Sequence, residues 1–397
     1  MKLKILVICQ YYYPEPFRIS DICERLVKKG HKVTVLTGLP NYPEGEIYEK
    51  YKNKKNRIES INGVNILRTF EIGRRNSKMF LFLNYLSFSI SGSLKVLFLK
   101  EKFDVVLVNQ LSPVLMAIPA IIYKKKHRKK ILLYCLDLWP SSLIAGGVSN
   151  TSLIYKCFFK ISKWIYNSVD AIFVTSEMFK EYFKKILKID KTKIDYLPQY
   201  AEDLFEKCET KLDKDIFNFV FAGNIGDMQS VDTIVLAANE LKKNKNIIFH
   251  IVGDGSKLKE CKELSKKLKI LNIKFHGRKP VEEMPYFYGM ANAMLLTLKS
   301  DKIISYTLPG KVQSYMIAKK AILGSIDGEA MNVIKKSKCG LCCLAEDYKG
   351  FAKIILEFCN NTNNSEMAEK SYKYYLENFT KENFMNKLEK KLEELNV

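Results

Sequence analysis

Four short turns in the second half of the chain place glycines directly after predicted strands. They are Gly223-Asn224-Ile225-Gly226, Gly253-Asp254-Gly255, Gly277-Arg278 and Leu308-Pro309-Gly310. Glycine lets the backbone approach a phosphate closely, and the amides of a helix N-terminus favour an anion. Lys311 adds a cation where the next predicted helix begins. One such turn is typical of any chain reversal, but four on one sheet edge predict a nucleoside-diphosphate site. The full G-x-G-x-x-G pattern of nicotinamide-binding folds is absent.

Two carboxylates in the first half of the chain are candidates for acid–base chemistry. Asp137 follows a predicted strand in the segment DLWP, where it could act as a base or accept a hydrogen bond from a substrate hydroxyl group. The alternative is that Asp137 caps the turn that follows it. Glu15, which lies between two prolines in the loop after the first strand, is the second candidate.

Short β-branched runs alternate with helical periodicity along nearly the whole chain. Residues 3–9 and 32–37 predict strands on either side of a helix that ends at Gly30, and the rhythm restarts at 217–222. Buried strands separated by helices favour parallel, doubly wound sheets. We therefore predict an α/β protein with two Rossmann-like domains that face each other across a cleft. The domains are residues 1–203 with 378–397, and residues 204–377, with the C-terminal helix packing back on the first domain.

The positive charge is concentrated in the first half of the chain. The protein has 65 Lys and Arg against 43 Asp and Glu, and residues 1–200 hold 34 of these bases but only 16 of the acids. The uncharged stretch 79–94 is too short to span a bilayer, which needs about 20 residues. With its basic flanks it predicts a helix in the membrane interface, and a buried helix that covers the sheet is the alternative. We expect Arg74, Arg75, Lys78, Phe80, Phe82 and Trp139 to contact an anionic membrane surface or the acceptor.

The cysteines and histidines show no metal-binding spacing. The segment KCGLCC at 338–343 has no second C-x-x-C partner, so its cysteines are expected in the core or in a turn. The apolar run after Met1 stops at Gln10, and no cleavage site follows. These observations predict a cytoplasmic protein with reduced thiols and no bound metal.

Several segments resemble the GT-B glycosyltransferases of the large retaining family 4, over essentially the whole chain. The likeness rests on VTVLTGLPNYPEG at 33–45, DLWP at 137–140, FAGNIG at 221–226, IVGDG at 251–255, FHGR at 275–278 and YTLPGKVQSYMIAKKAIL at 306–323. The chain is further similar to bacterial enzymes that add N-acetylated deoxysugars, such as N-acetylfucosamine, during O-antigen or capsule assembly. The segments PEPFRISD at 14–21 and SYTLPGKVQSY at 305–315 carry this narrower likeness.

This resemblance implies that the second domain binds a UDP-sugar donor and the first a polyprenyl-diphosphate-linked glycan acceptor. Lys311 and the glycine turns would contact the donor diphosphate, and Arg278 would read the base. Arg18 would reach the diphosphate from the first domain. The expected reaction retains the anomeric configuration, needs no metal or other cofactor, and takes place on the cytoplasmic face of the membrane. The residues expected to bind the donor are Gly223, Asn224, Gly226, Gly253, Asp254, Gly277, Arg278, Tyr306, Leu308, Pro309, Gly310 and Glu329, and those expected to act in catalysis are Asp137, Lys311, Arg18 and Glu15.

The chain departs from the family pattern at three places. Tyr306 and Ser314 stand where the family has two glutamates, so Glu329 is the candidate for the glutamate that binds the ribose. The basic pair that usually follows the first glycine turn is replaced by residues 227–230, which read DMQS. Leu136 stands where many members have a histidine before the aspartate.

Two other classes of protein compete with this interpretation. A basic nucleic-acid-binding protein would fit the charge, but no DNA- or RNA-binding motif is present, and we expect no nucleic-acid partner. A UDP-sugar 2-epimerase of the same fold would need several carboxylates and a histidine in its cleft. The chain has four histidines and lacks the glutamate pair, which argues against that class.

Overall fold

The chain folds into two compact units in a computed structural model, which describes residues 1–75, 77–208, 215–361 and 363–396. Unit 1 comprises residues 1–175, 179–197 and the chain from Met385 onward, and unit 2 comprises residues 176–178 and 198–384. The divisions therefore fall at 197 and 385, where the sequence indicated 203 and 378. Phe205 stacks on Tyr288 with ring centroids 4.7 Å apart, and both residues belong to unit 2.

Unit 1 is built on a sheet of eight strands. Its strands are β1 (Lys4–Ile8), β2 (Lys32–Thr37), β3 (Ile58–Ile61), β4 (Val64–Arg68), β5 (Val105–Gln110), β6 (Lys130–Cys135), β7 (Ala171–Val174) and β8 (Ile194–Tyr196). Their order is β3-β4-β2-β1-β5-β6-β7-β8, and all neighbours are parallel except β3 and β4. The central strands are buried on both faces, which explains why they read as continuous apolar runs.

Helices connect these strands across both faces of the sheet. They are α1 (Ile19–Lys28), α2 (Lys78–Phe98), α3 (Ile118–His127), α4 (Ser142–Ala145), α5 (Leu153–Ser168) and α6 (Glu177–Glu181), the last of which crosses from unit 2 into unit 1. Helix α2 packs against α3, and α3 packs against α5, so these three helices cover one face of the sheet.

The hairpin of β3 and β4 is absent from the predicted elements. Its turn contains Asn62 and Gly63, with φ angles of 51° and 80°. An Asn-Gly pair between two alternating apolar segments is a strong signal for such a turn, because both central residues need a positive φ.

Unit 2 contains a second, entirely parallel sheet. Its strands are β9 (Phe217–Ala222), β10 (Ile247–Val252), β11 (Ile273–Gly277), β12 (Ala293–Thr297), β13 (Ala321–Ser325) and β14 (Gly340–Cys343), in the order β11-β10-β9-β12-β13-β14. Its helices are α7 (Val231–Glu240), α8 (Leu258–Lys267), α9 (Met284–Gly289), α10 (Lys302–Ser305), α11 (Gly310–Ile317), α12 (Gly328–Ser337), α13 (Tyr348–Asn360) and α14 (Asn364–Asn378). Two apolar clusters lie on the two faces of this sheet, as a doubly wound unit requires.

The last helix, α15 (Lys381–Asn396), returns to unit 1 over most of its length. Glu389 accepts hydrogen bonds from Lys29 Nζ at 2.7 Å and pairs with His31 Nε2 at 2.9 Å. Lys387 Nζ lies 3.0 Å from the carboxylate of Asp195. The predicted packing of the C-terminal helix on the first domain is confirmed, as is the prediction of two Rossmann-like units.

Candidate functional site

Three of the predicted glycine turns meet at the carboxyl edge of the unit 2 sheet. The amide of Gly223 donates to the carbonyl of Val252 at 2.9 Å, and the amide of Gly253 donates to the carbonyl of Gly277 at 2.8 Å. Strands β9, β10 and β11 are adjacent and parallel, so their carboxyl ends lie side by side. Turns that are far apart in sequence therefore form one continuous edge.

Two of these turns require glycine for steric reasons. Gly223 and Gly253 have φ angles of +137° and +144°, which side chains rarely adopt. A Cβ atom on Gly253 would lie 1.8 Å from the carbonyl oxygen of Gly223, and one on Gly223 would lie 2.6 Å from Cε of Lys311. The glycines therefore allow these two turns and Lys311 to lie close together at this edge.

Lys311 brings a positive charge to this edge. Its Nζ lies 3.8 Å from the ring centroid of Phe221. Within the described ranges, neither a carboxylate nor a hydrogen-bond acceptor contacts this ammonium group. Burial lowers the pKa of Lys311 to about 7. A desolvated cation without a counter-ion is unfavourable, and a bound anion would supply the missing charge.

The loop after β9, where residues 227–230 replace the basic pair of the family, is stabilised by a neutral side chain. Gln229 Oε1 accepts hydrogen bonds from Asn224 Nδ2 at 3.0 Å and from the amide of Gly226 at 3.1 Å. Asp227 pairs with Lys299 at 2.6 Å. The sequence pattern did not reveal the role of Gln229 at this turn, because that role depends on the contacts its side-chain amide makes with Asn224 and Gly226 after folding.

The segment before α11 mixes buried and accessible positions. Leu308 is 6% exposed and its side chain packs in the unit 2 core, so only its backbone could contact a donor, which stays a prediction. Pro309 is the N-cap residue of α11, and Gly310 is exposed. The carbonyl of Tyr306 accepts a hydrogen bond from Ser176 Oγ at 2.5 Å. Arg278 is exposed.

Glu329 and Asp254 are engaged in local backbone contacts. The carboxylate of Glu329 is 4% exposed and accepts the amides of Glu177 at 3.0 Å and Met178 at 3.2 Å. It thus binds the start of α6, which corrects the expectation that it binds a ribose. Asp254 Oδ1 accepts the amide of Gly255 at 2.8 Å, and the Asp254 side chain stabilises its own turn.

Asp137 in unit 1 is surrounded by side-chain donors. The hydroxyl groups of Ser112 and Ser142 donate to its carboxylate, and Trp139 Nε1 donates at 3.2 Å. Ser142 is the first residue of α4, but among the described contacts no side chain caps this helix, so the donors of Asp137 differ from those of the cap in the alternative interpretation. Trp139 is 4% exposed, so its indole does not meet a membrane, and its contact with an acceptor stays a prediction.

Glu15 has the contacts of a loop anchor. It is 3% exposed, and its carboxylate accepts the amides of Tyr12 at 3.2 Å, Asn41 at 2.9 Å and Tyr42 at 2.8 Å. The carboxylate thereby joins the loop after β1 to the loop after β2. This geometry favours a structural role for Glu15 over acid–base catalysis.

We expect the stability of the protein to show the titration of Glu15. Burial raises the pKa of Glu15 from 4.5 to about 7. The folded state therefore keeps a proton that the unfolded chain releases, and the free energy of unfolding falls as pH rises between these values. Relative to Glu15→Gln, the wild type should lose up to about 1.4 kcal/mol per pH unit across this window. Urea unfolding at pH 5, 6 and 7.5 measures this difference, and a constant difference would contradict it.

Arg18 lies in unit 1 at the N-cap position of α1. Burial raises the pKa of Tyr134, and the charge of Arg18 opposes this rise, so the guanidinium lies near the phenol at the end of β6. Arg18 thus lies between the end of β1 and the start of α1. Its contact with a donor diphosphate stays a prediction.

The cations before α2 are partly engaged by neighbouring groups. The guanidinium of Arg75 lies 4.3 Å from the ring centroid of Phe80, and its Nε lies 3.4 Å from Glu46. Arg74 lies over the ring of Tyr42 at 5.2 Å. Phe80 is half-buried and Lys78 is exposed. Phe80 therefore contributes less to the outer surface than expected.

Helix α2 carries a row of exposed apolar side chains, which we call the α2 stripe. Among the described helices, α2 alone is long and apolar enough to cross a membrane, yet its other face packs on unit 1 through Asn84, Phe88 and Val96. The exposed residues recur every three or four positions, so they share one side of the helix. The stripe consists of Met79, Phe82, Leu86, Ile90, Leu94, Leu97 and Phe98.

A buried polar network at the carboxyl edge of unit 1 was missed by sequence reasoning. Gln10 Nε2 donates to Glu71 Oε1 at 2.7 Å and to Asn84 Oδ1 at 2.8 Å, and Asn84 Nδ2 donates to Glu71 Oε1 at 2.6 Å. The network could have been predicted from Asn84, the single asparagine in the apolar segment 79–94, because a buried amide group needs polar partners.

Two family models match the chain, one for each unit. Residues 18–199 match the model of glycosyltransferase family 4, and residues 203–375 match that of glycosyl transferases group 1. Together the two models span most of the chain. The chain belongs to this family of GT-B glycosyltransferases.

Curated relatives are distant in sequence. The probable glycosyltransferase WbjE of Pseudomonas aeruginosa is 25% identical over 263 residues, which are 62% of this chain and 63% of WbjE, less than two thirds of its length. The putative colanic acid biosynthesis glycosyl transferase WcaI of Escherichia coli K12 is 20% identical over 332 residues, which are 79% of this chain and 81% of WcaI.

A solved structure shares the fold over almost the whole chain. HepE of Anabaena, in complex with UDP and glucose, superimposes with a TM-score of 0.70 and covers 98% of this chain and 99% of its own. The sequences are 13% identical, so this likeness shows the GT-B fold alone.

Proposed function

We propose that this protein is a retaining, metal-independent glycosyltransferase of cell-surface polysaccharide or glycoprotein assembly. It transfers an N-acetylated hexosamine or deoxyhexosamine from a UDP-sugar to a polyprenyl-diphosphate-linked glycan on the cytoplasmic face of the membrane. The description of WcaI as a putative colanic acid biosynthesis glycosyl transferase supports a polysaccharide pathway, and the UDP bound to HepE supports a uridine nucleotide.

The observation that carries this proposal is the uncompensated charge of Lys311 beside the glycine turns. The leaving group of such a transfer is a nucleoside diphosphate, and its negative charge grows in the transition state. Fixed donors and cations in a desolvated site stabilise growing charge strongly, because they need no reorganisation. Lys311 next to Gly223 meets this requirement with residues of unit 2.

The α2 stripe supports a membrane-bound acceptor. The basic C-terminal end of α3 lies beside the end of the stripe, because Lys126 Nζ donates to the carbonyl of Leu97 at 2.5 Å. Lys125 and Arg128 are exposed in the same segment. Apolar side chains next to cations suit a helix that lies in the headgroup region of an anionic bilayer.

We expect the triple variant Leu94→Gln, Leu97→Gln and Phe98→Gln to bind phosphatidylglycerol vesicles at least tenfold more weakly than the wild type. Each large side chain contributes about 1.5–3 kcal/mol when fully buried, and partial insertion still exceeds the 1.4 kcal/mol of a tenfold change. Vesicle sedimentation measures the affinity. The matched control replaces Leu271 and Leu344, which are exposed apolar residues of unit 2. Equal losses in both variants would contradict a specific role of the stripe.

A donor screen tests the proposed activity. UDP- and GDP-sugars are incubated in EDTA with a short polyprenyl-diphosphate-linked N-acetyl sugar, and the product is read as a mass shift. Transfer from a UDP-N-acetylhexosamine or UDP-N-acetyldeoxyhexosamine, with the anomeric configuration retained by NMR, is the expected result. Transfer only from GDP-sugars, an inverted product or a strict metal requirement would each refute the corresponding part of the proposal.

A further inference from the structure

Three aromatic rings and one arginine form a cluster at the carboxyl edge of the unit 1 sheet. Tyr11 and Phe17 stack with ring centroids 5.2 Å apart, and Tyr42 lies 5.1 Å from Phe17 and 6.1 Å from Tyr11. The guanidinium of Arg74 lies 5.2 Å from the ring centroid of Tyr42. We call these four residues the Arg74 cluster.

The backbone at Arg74 is held in place by buried polar groups. Its amide donates to Asn41 Oδ1 at 3.3 Å, and the amide of Asn41 donates in turn to Glu15. A Cβ atom on Gly73 would lie 2.7 Å from the carbonyl oxygen of Gly45, so the two loops are in close contact there. The position of Arg74 is therefore set by the fold.

The charge of Arg74 is not cancelled by a neighbouring carboxylate. Across the described residues, no carboxylate forms an ion pair with its guanidinium, whereas Arg75 lies near Glu46 and Arg68 pairs with Glu59. Glu71 belongs to the buried polar network of this edge, and burial raises its pKa well above its usual range.

Asp137 lies on the same edge as Arg74. Burial raises the pKa of the half-buried Tyr85; the charge of Arg74 opposes this rise and that of Asp137 adds to it. The phenol therefore lies near both charges.

We propose that the Arg74 cluster binds the diphosphate of the lipid acceptor, an inference that rests on the proposed function. A guanidinium offers paired donors that match phosphate oxygens, and the half-buried rings of Phe17 and Tyr42 suit the first apolar units of a prenyl chain. Arg74 lies shortly before α2, which begins at Lys78, so a prenyl chain that leaves the cluster would continue along the α2 stripe. Arg74 is thereby assigned to the acceptor's own phosphates rather than to the bulk membrane surface.

Binding of geranyl diphosphate to the full-length protein tests this assignment by calorimetry, with saturating UDP present to occupy the diphosphate site of unit 2. We expect Arg74→Gln to weaken binding at least tenfold and Arg74→Lys to weaken it less, since lysine keeps the charge but loses the paired donors. Arg25→Gln is the matched control, because Arg25 pairs with Asp21 on α1 and its loss changes the net charge equally. The control should bind as the wild type does.

Vesicles of phosphatidylglycerol separate the acceptor diphosphate from ordinary lipid headgroups. Arg74→Gln should bind them with the wild-type affinity; a loss there with unchanged geranyl diphosphate binding would overturn the proposal. Wild-type binding of geranyl diphosphate by Arg74→Gln, or an equal loss in Arg25→Gln, would also overturn it. Thermal unfolding checks each variant, and if Arg74→Gln unfolds, Arg74→Lys must still bind more weakly than the wild type. The test needs no donor sugar or turnover, so failure of the transfer assay is a separate result.

Discussion

Replacing Lys311 with methionine is expected to lower kcat/KM for sugar transfer by about 100- to 1,000-fold, the loss typical of removing one group that stabilises growing negative charge. The fold should persist, because methionine keeps most of the side-chain volume against Phe221. The ammonium group has no partner within the described part of the chain whose loss would destabilise the protein. Steady-state kinetics with varied donor measures the effect.

Lys320 provides the matched control for this variant. It is also a lysine of unit 2 whose pKa is lowered by burial, but its Nζ donates to the carbonyls of Gly289 and Ala291, both at 2.9 Å. Lys320→Met should therefore lower the free energy of unfolding by about 1–3 kcal/mol and leave kcat/KM nearly unchanged. Near-normal turnover by Lys311→Met, or an equal kinetic loss in Lys320→Met, would contradict the role assigned to Lys311.

The pH dependence of stability should separate Lys311→Met from the wild type as well. The pKa of Lys311 is about 7 in the folded state and 10.5 in its ordinary environment, so the unfolded chain binds more protons between these values. The contribution of Lys311 to stability consequently rises with pH across this window. The methionine variant should lack that rise in urea unfolding between pH 7 and 9.

Replacing Gly253 with alanine is expected to lower the free energy of unfolding by about 3 kcal/mol, from backbone strain and overpacking together. Its φ of +144° is unfavourable for any side chain, and the new Cβ atom would lie 1.8 Å from the carbonyl oxygen of Gly223. Relief of this clash must move the Gly223 turn away from Lys311. The folded fraction should therefore also bind UDP more weakly.

Gly277→Ala separates the clash from the backbone strain. Gly277 has a φ of +68°, and no atom lies within 4 Å of the position of its added Cβ. Its replacement should cost about 1–2 kcal/mol, the strain of the left-handed conformation alone. Chemical unfolding followed by circular dichroism measures both variants. Equal losses would show that the contact between the Gly253 and Gly223 turns has no energetic importance.

The donor edge of unit 2 was predictable because its signals are local. Glycines mark positions where the backbone alone dictates the residue, and the alternation of buried strands and helices implies parallel sheets whose carboxyl ends align. From these two facts Gly223, Gly253, Gly277 and Lys311 could be placed on one edge. The structure brings the four together within unit 2.

The individual polar side chains were less predictable because their partners lie far away in sequence. Glu329 faces the amides at the start of α6, and Glu15 faces the loop after β2. In the sequence alone, a carboxylate that accepts hydrogen bonds from buried amides cannot be distinguished from one that accepts a substrate proton. The difference lies in which donors reach it after folding.

Residues 79–94 show the same division between pattern and packing. Their composition alone indicates an apolar helix next to cations, and the chain's 34 bases among the first 200 residues indicate an anionic partner. Which side of α2 faces solvent depends on the contact of Asn84, Phe88 and Val96 with unit 1. Only that packing leaves the α2 stripe exposed, because a helix has no inner or outer face until a neighbour covers one of them.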